Sequence, residues 1–212
     1  MTKENYCTFY LVRHAESDFN AKGLLVGDTD ATLTENGRKQ AEKLAIKLKG
    51  VSIDAIYSSN LLRAKQTAEI LSKERKLALQ TSELIRERSY GSHEGLSSHE
   101  YEEKVRQAKK QISELVRTMG KTYHDLLGVE NNKNLLARMT TFLREIAVAN
   151  PSKSVLVVTH GGILRAFLAH LYPEKFIDLH AVAIGNTAYV KISSDGTDFI
   201  FSEAHGIDFD RK

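Results

Sequence analysis

A chain of 212 residues with 42% apolar side chains can bury a full core, as one large domain or as one domain with an inserted cap. Thirty basic against 27 acidic residues leave a formal charge of +3, so near a balance that it gives no case for nucleic acid or an anionic membrane as main partner. The single cysteine, Cys7, excludes an internal disulfide and a thiolate metal site, and the absence of any long apolar run points to a cytoplasmic protein, neither secreted nor membrane-spanning.

Taken in order, the chain opens with an apolar, β-branched and aromatic run from Tyr6 that stops at Arg13-His14, a strand delivering two cationic groups to its own carboxyl end. Cys7 falls inside it as a buried, inert thiol. The segment from Ala21 to Gly37, rich in Gly, Asp and Thr, is a loop over that end; Thr34 then caps a helix with Ala41, Leu44, Ala45 and Leu48 on one face. A short strand is predicted at Ile53–Tyr57, a turn at Ser58-Ser59, and a helix with Leu61, Ala64, Ala68 and Leu71 on one face and Arg63 in its first turn. A weaker strand over Leu77–Gln80 leads into ELIRERSYGSHEG.

From Ser97 to Leu127 the chain is polar and helical, with a thin apolar stripe at Val105, Ile112, Leu115 and Val116, and reads as a cap (about 92–130) within a single domain spanning 1–212. An amphipathic helix over Asn134–Val148 ends at Asn150-Pro151. The run Ser154–Val158 has the composition of a strand buried on both faces and passes through Thr159-His160-Gly161-Gly162 straight into a helix. Thr187–Ile192 and Phe199–Phe201 form an antiparallel hairpin at the sheet edge. The alternation of elements favours an α/β sandwich with a largely parallel sheet.

In such a sheet His14, Arg63, Glu87 and His160 follow successive strands and fall on one carboxyl edge, the usual place for a ligand. Two arginines and two histidines converging there suit a dianion such as a phosphoryl group, bound bidentately by Arg13 and Arg63. Backbone N–H groups of Gly161 and Gly162 at a helix start would add to that pocket. Neighbouring guanidinium charges would depress the pKa of His14 and leave a ring nitrogen free to attack phosphorus. The remaining histidines, His93, His99, His124, His170, His180 and His205, lack paired metal-ligand spacing and read as surface or supporting residues.

The stretch LVRHAESDFN resembles the phosphohistidine motif of the histidine phosphatase superfamily, phosphoglycerate mutase-like branch. SSNLLRAKQTAE is similar to the family's second arginine motif and VVTHGGILR to its second histidine motif. In this family the general acid is a glutamate four residues before a glycine, which Glu87 and Gly91 in ERSYG match, with Glu83 and Glu94 as competitors. Ala15 stands where the family most often has glycine. The resemblance covers roughly Tyr6 to His205. It implies a three-layer α/β/α sandwich with a mostly parallel central sheet, an antiparallel edge and a helical cap insertion, no metal and no organic cofactor. It also implies catalytic roles for Arg13, His14, Arg63, Glu87 and His160, and substrate contacts from Asn20, Gly27 and Gly161.

The expected activity is phosphomonoester hydrolysis through a phosphohistidine on a small phosphorylated metabolite. The alternatives are a 2,3-bisphosphoglycerate-dependent phosphoglycerate mutase and, last, a catalytically idle phospho-ligand module, against which the retention of His14, Glu87 and both arginines speaks. Mutases of the family clamp the substrate carboxylate with a lysine and paired arginines after the ERxYG segment. Here Lys104, Arg106, Lys109, Lys110, Arg117 and Lys121 are instead interleaved with Glu102, Glu103 and Glu114, the pattern of a solvated helix face, so hydrolysis leads.

Overall fold

Side chains alternate between the two faces of a strand, and in the first strand both sets are apolar, so helices must cover the sheet on each side. The computed structural model describes residues 5–119, 123–173 and 182–208, with the side chains of 110–119 and 123 outside that description. Six strands, β1 (Cys7–Arg13), β2 (Ala55–Ser59), β3 (Leu79–Ser82), β4 (Ser154–Thr159), β5 (Ala183–Ser194) and β6 (Phe199–Asp208), make one sheet in the order β3-β2-β4-β1-β5-β6. The first four positions of that order are parallel; β5 and β6 run antiparallel.

On one face Tyr10, Val12, Ile56, Leu156 and Val158 pack against α2 (Glu35–Lys47) and α3 (Leu62–Lys73) through Leu44, Leu48, Ala64, Ala68 and Leu71. On the other, Phe9, Leu11, Val155 and Val157 meet Leu135, Met139 and Leu143 of α6 (Asn132–Ala149) and Leu164 and Phe167 of α7 (Gly161–Leu171). Each fully buried Leu, Val or Phe of these layers contributes about 1.5–3 kcal/mol. The register pairs Val158 with both Val12 and Ser58, so β1, β4 and β2 end level, and whatever follows them emerges at one edge. At the opposite, amino end of β1, Cys7 is buried and its thiol is pushed up to about 12 by burial, the inert thiol expected.

Several boundaries differ from the sequence reading. Ser58 and Ser59 close β2 rather than forming a turn: Ser58 Oγ donates to the Ser59 carbonyl at 2.7 Å and Ser59 Oγ accepts from Leu61 N at 3.2 Å, so both hydroxyls are satisfied inside the sheet. β3 sits two residues later than expected. A four-residue helix α1 (Asp18–Ala21), held by a Ser17–Asn20 capping box, opens the segment after His14. β5 and β6 extend well beyond the predicted hairpin, with irregularities between Ile184 and Tyr189 that mask the period-2 pattern. The cap comprises α4 (Ser98–Met119) and α5 (Tyr123–Leu127). Of its expected stripe, Val105 is described, while the side chains of Ile112, Leu115 and Val116, like those of Lys110, Glu114 and Arg117, lie outside the described residues. Lys121 and His180 lie outside them entirely. Among the described residues no helix is long and apolar enough to cross a membrane.

Candidate active site

His14 follows β1 directly and is almost wholly buried. Its Nδ1 lies 2.7 Å from the Ala15 carbonyl, and its Nε2 lies 3.2 Å from Arg63 Nε. A guanidinium Nε–H can only donate, so Nε2 carries the lone pair and Nδ1 the proton. Burial holds the His14 ring well below its ordinary pKa, with the Arg63 and Arg13 guanidinium groups next in weight. Neighbouring charge was the expected cause; desolvation outranks it because the ring is almost wholly withdrawn from water.

Arg63 has no exposed surface. Besides His14 it donates through Nη1 to the Thr29 carbonyl at 2.9 Å and through Nη2 to the Gly27 carbonyl at 2.7 Å, so its fork grips the loop after α1 and leaves one N–H on each terminal nitrogen. Burial lowers it to about 10. Gly27 therefore serves through its carbonyl, in a left-handed turn with φ +54°.

His160 caps the start of α7, entirely buried, with its ring centroid 5.1 Å from that of His14. Burial, then Arg63, His14 and Arg13, hold it well below its ordinary pKa. Among the described residues neither of its ring nitrogens has a hydrogen-bond partner, nor does Arg13 Nε, which packs against Gly161. Arg13 Nη1 donates to the Ile184 carbonyl. Buried polar atoms left unpartnered within the protein are rare, and here they belong to the two residues, Arg13 and His160, that flank His14 in charge and ring contact. Asn20 Oδ1 is taken by the capping box and by Asn186 Nδ2 at 3.3 Å, so any further bond from this side chain must come from its amide nitrogen.

Glu87 lies at the amino end of α7: Oε2 accepts from Gly162 N at 2.8 Å and Oε1 from Ile163 N at 2.9 Å and Arg88 N at 2.8 Å. The Gly162 N–H is thus committed to Glu87, not open to an anion as the sequence suggested. Arg138 of α6, missed in the sequence, holds the preceding loop by donating to the carbonyls of Leu84, Arg86 and Glu87, and pairs with Glu130 at 2.7 Å. Of the competing acids, Glu83 is exposed on Asn60 and Arg86, and Glu94 is bound to backbone N–H groups of residues 28 and 29.

A cavity of about 590 Å³ opens from Gly162 beneath the cap, lined by Arg88, Arg106, Lys109 and Arg165 against the single acid Glu102, with Tyr90, Tyr101 and Leu25 among its other walls. Arg88 is spent on the Glu130 carbonyl and Asn132 at 2.6 Å each, whereas Arg165 Nε is buried without a partner. His124 at the cavity wall is lowered to about 4 by burial and then by the Arg88 charge. Arg165 belongs to the VVTHGGILR stretch, but nothing in its helical spacing signalled that it lines this cavity. Of the other histidines, His93 is buried and bonds the Leu127 carbonyl at 3.0 Å, His205 stacks on Tyr189, and His99 and His170 are exposed. Among the described residues no group of three or more His, Cys, Asp or Glu is placed to hold a metal.

A histidine pair, an arginine pair and a glutamate on the carboxyl edge of a three-layer α/β/α fold define the histidine phosphatase class, and the chain belongs to the histidine phosphatase superfamily, branch 1, whose family profile matches residues 9–204. A probable phosphatase of Schizosaccharomyces pombe is 33% identical, over 78% of this chain and 74% of its own length. A putative phosphoserine phosphatase 2 of Hydrogenobacter thermophilus is 32% identical, over 88% and 89%. The crystal structure of phosphoglycerate mutase from Bacillus anthracis superposes with a TM-score of 0.80 at 26% identity, covering 98% of this chain and 95% of that one. The protein is a phosphomonoester hydrolase that works by the histidine mechanism.

Proposed function

We propose that the protein hydrolyses small phosphomonoesters in two displacements through a phosphohistidine on His14 Nε2, residues 1–212 acting as one domain with 92–130 as its cap. The observation that carries this reading is the polarity of the His14 ring: Nδ1 is tied to Ala15 and Nε2 presents its lone pair toward Arg63, with the His160 ring 5.1 Å away. In the first displacement the Nε2–P bond forms as the P–O bond to the leaving group breaks, and Glu87 gives the leaving oxygen its proton. In the second, water gives a proton to Glu87 and attacks phosphorus, the P–N bond breaks and phosphate departs. Arg13, His160 and the two remaining N–H groups of the Arg63 fork donate to the phosphoryl oxygens as charge builds on them, with Asn20 and Gly161 at the same end. The same proposal places the activity in the cytoplasm, where a lone free cysteine is the usual pattern.

The leaving group points into the cavity under the cap. Its excess of cations favours a leaving group that bears a negative charge, in keeping with the substrate named for the Hydrogenobacter relative. The same cations, Arg106, Lys109 and Arg165, are what a mutase would use on a carboxylate, which keeps that second reading in play. The two separate on 3-phosphoglycerate with and without 2,3-bisphosphoglycerate. Inorganic phosphate released from at least one small phosphomonoester, undiminished in excess chelator and with little isomerisation, is expected. Fast, bisphosphoglycerate-primed isomerisation with negligible phosphate release would make it a mutase.

A further inference from the structure

The turn that Arg63 grips is held from its other side by Glu94, a residue outside the reacting groups. Glu94 Oε1 accepts from Asp28 N at 2.9 Å and Tyr90 N at 3.2 Å, and Oε2 accepts from Thr29 N at 2.8 Å and from Thr29 Oγ1. The carbonyls of the same turn, Gly27 and Thr29, accept from Arg63, whose Nε reaches His14 Nε2. One short turn is therefore clamped between a carboxylate on its N–H side and a guanidinium on its C=O side. The approach is close enough that a Cβ on Gly27 would stand 2.2 Å from Glu94 Oε1.

Glu94 also stands at the foot of the cap. Beside it, Gly95 N donates to the Leu25 carbonyl at 2.9 Å, Leu25 N to the Leu96 carbonyl at 2.8 Å, and Leu24 bridges to Ser97, immediately before α4. Tyr90 and His93 stack on Tyr101 within α4, with ring centroids 5.3 and 5.8 Å apart. The foot of the cap and the segment from Leu24 to Thr29 are thus stitched together around Glu94.

We infer that Glu94 is a positioning residue: it fixes the 27–29 turn, and through it Arg63 and the attacking nitrogen of His14, so that the nucleophile is aligned when the foot of the cap is seated. The inference rests on His14 as nucleophile and goes beyond it, because no step assigns Glu94 a proton or a bond to substrate. Both oxygens of Glu94 face N–H donors, so Glu94→Gln sets an amide donor against a donor in either orientation while keeping the side chain's size.

The test compares Glu94→Gln with wild type on an aryl and an alkyl phosphate, in the intact protein, alone and combined with Arg63→Ala. A misplaced reacting group costs about 10²-fold, and that loss is expected in kcat/KM equally on both substrates. In the Arg63→Ala background Glu94→Gln is expected to cost nothing further, since its effect runs through Arg63. A loss confined to the alkyl phosphate would make Glu94 an acid, and additive losses would make it a purely structural residue; either overturns the inference, as does wild-type activity. Should Glu94→Gln fail to fold, Thr29→Val removes one bond of the four and is expected to lose about threefold, equally on both substrates, with Thr29→Ser unaffected; no loss would overturn it too. Loss of turnover in His14→Ala, scored beside these, reports on the nucleophile separately.

Discussion

Along the carboxyl edge of the sheet, turns of a few residues deliver the buried His14 and His160 and the half-buried Glu87 to the same edge as Arg63; across the crevice, the cap presents Tyr101, Val105, Arg106 and Lys109 from one face of a long polar helix. The first region is rigid because its groups are held by the backbone: His14 by the Ala15 carbonyl, Glu87 by the amino end of α7, Arg63 by two loop carbonyls. The second offers side chains that solvent also reaches, such as Arg106, paired at the surface with Glu103. In the proposed mechanism, chemistry common to all substrates belongs to the edge, and selection among substrates to the cap and the cavity beneath it.

That division ranks the expected effects. The largest falls on the edge: Glu87→Gln should slow alkyl phosphates by about 10²–10⁴-fold, the range of general acid catalysis, and aryl phosphates, whose leaving oxygens need little proton assistance, much less. Equal losses on both would move the acid elsewhere and break the assignment of the edge.

Much of the edge was legible because each of its groups abuts a strand pattern. The β-branched runs before Arg13 and His160 declare their strands, and helical spacing placed Arg63 in the first turn of α3. What the sequence hid is where hydrogen bonds go. That the Gly162 N–H serves Glu87, that Arg138 organises the 84–87 carbonyls, and that Glu94 binds residues far away in the chain are tertiary facts with no local pattern. The cap was legible only as a polar helix. Periodicity says which residues share a face but not what that face meets, so Arg106 and Lys109 read as solvated charges although they line a cavity. Ser58 and Ser59 mislead for a related reason: serine marks turns by its exposed hydroxyl, and here the hydroxyls are satisfied within the chain.

Next in size is the cost of burying two neutral rings. His14 and His160 both have folded pKa values depressed below the ordinary 6.5, so below that pH the unfolded chain binds more protons and folding stability falls as pH drops. Each ring should cost about 1 kcal/mol of unfolding free energy between about pH 6.5 and 5.5, approaching about 1.4 kcal/mol per pH unit below that; because His124, lowered to about 4, adds a third such ring, denaturant titrations should give His160→Gln about two-thirds of the wild-type slope. A slope unchanged in His160→Gln would mean that the edge holds this imidazole charged.

The smallest effect tests the other region. Arg165→Met keeps the length of the side chain and removes the charge facing the cavity; it should raise KM for an acidic phosphomonoester about tenfold, the scale of one charge-assisted hydrogen bond, and leave a neutral aryl phosphate unchanged. Equal losses on both substrates would mean that Arg165 serves the phosphoryl group, and the boundary between edge and cavity would have to be redrawn.

The central claim is that His14 Nε2 becomes covalently phosphorylated. Rapid quench of the wild-type protein with ³²P-labelled phosphomonoester, followed by peptide mapping, measures it directly. An acid-labile, base-stable label on the peptide containing His14, formed and discharged at rates that account for turnover and absent from His14→Ala, is the result predicted. Full turnover without a label on His14, or with wild-type rates in His14→Ala, would contradict it.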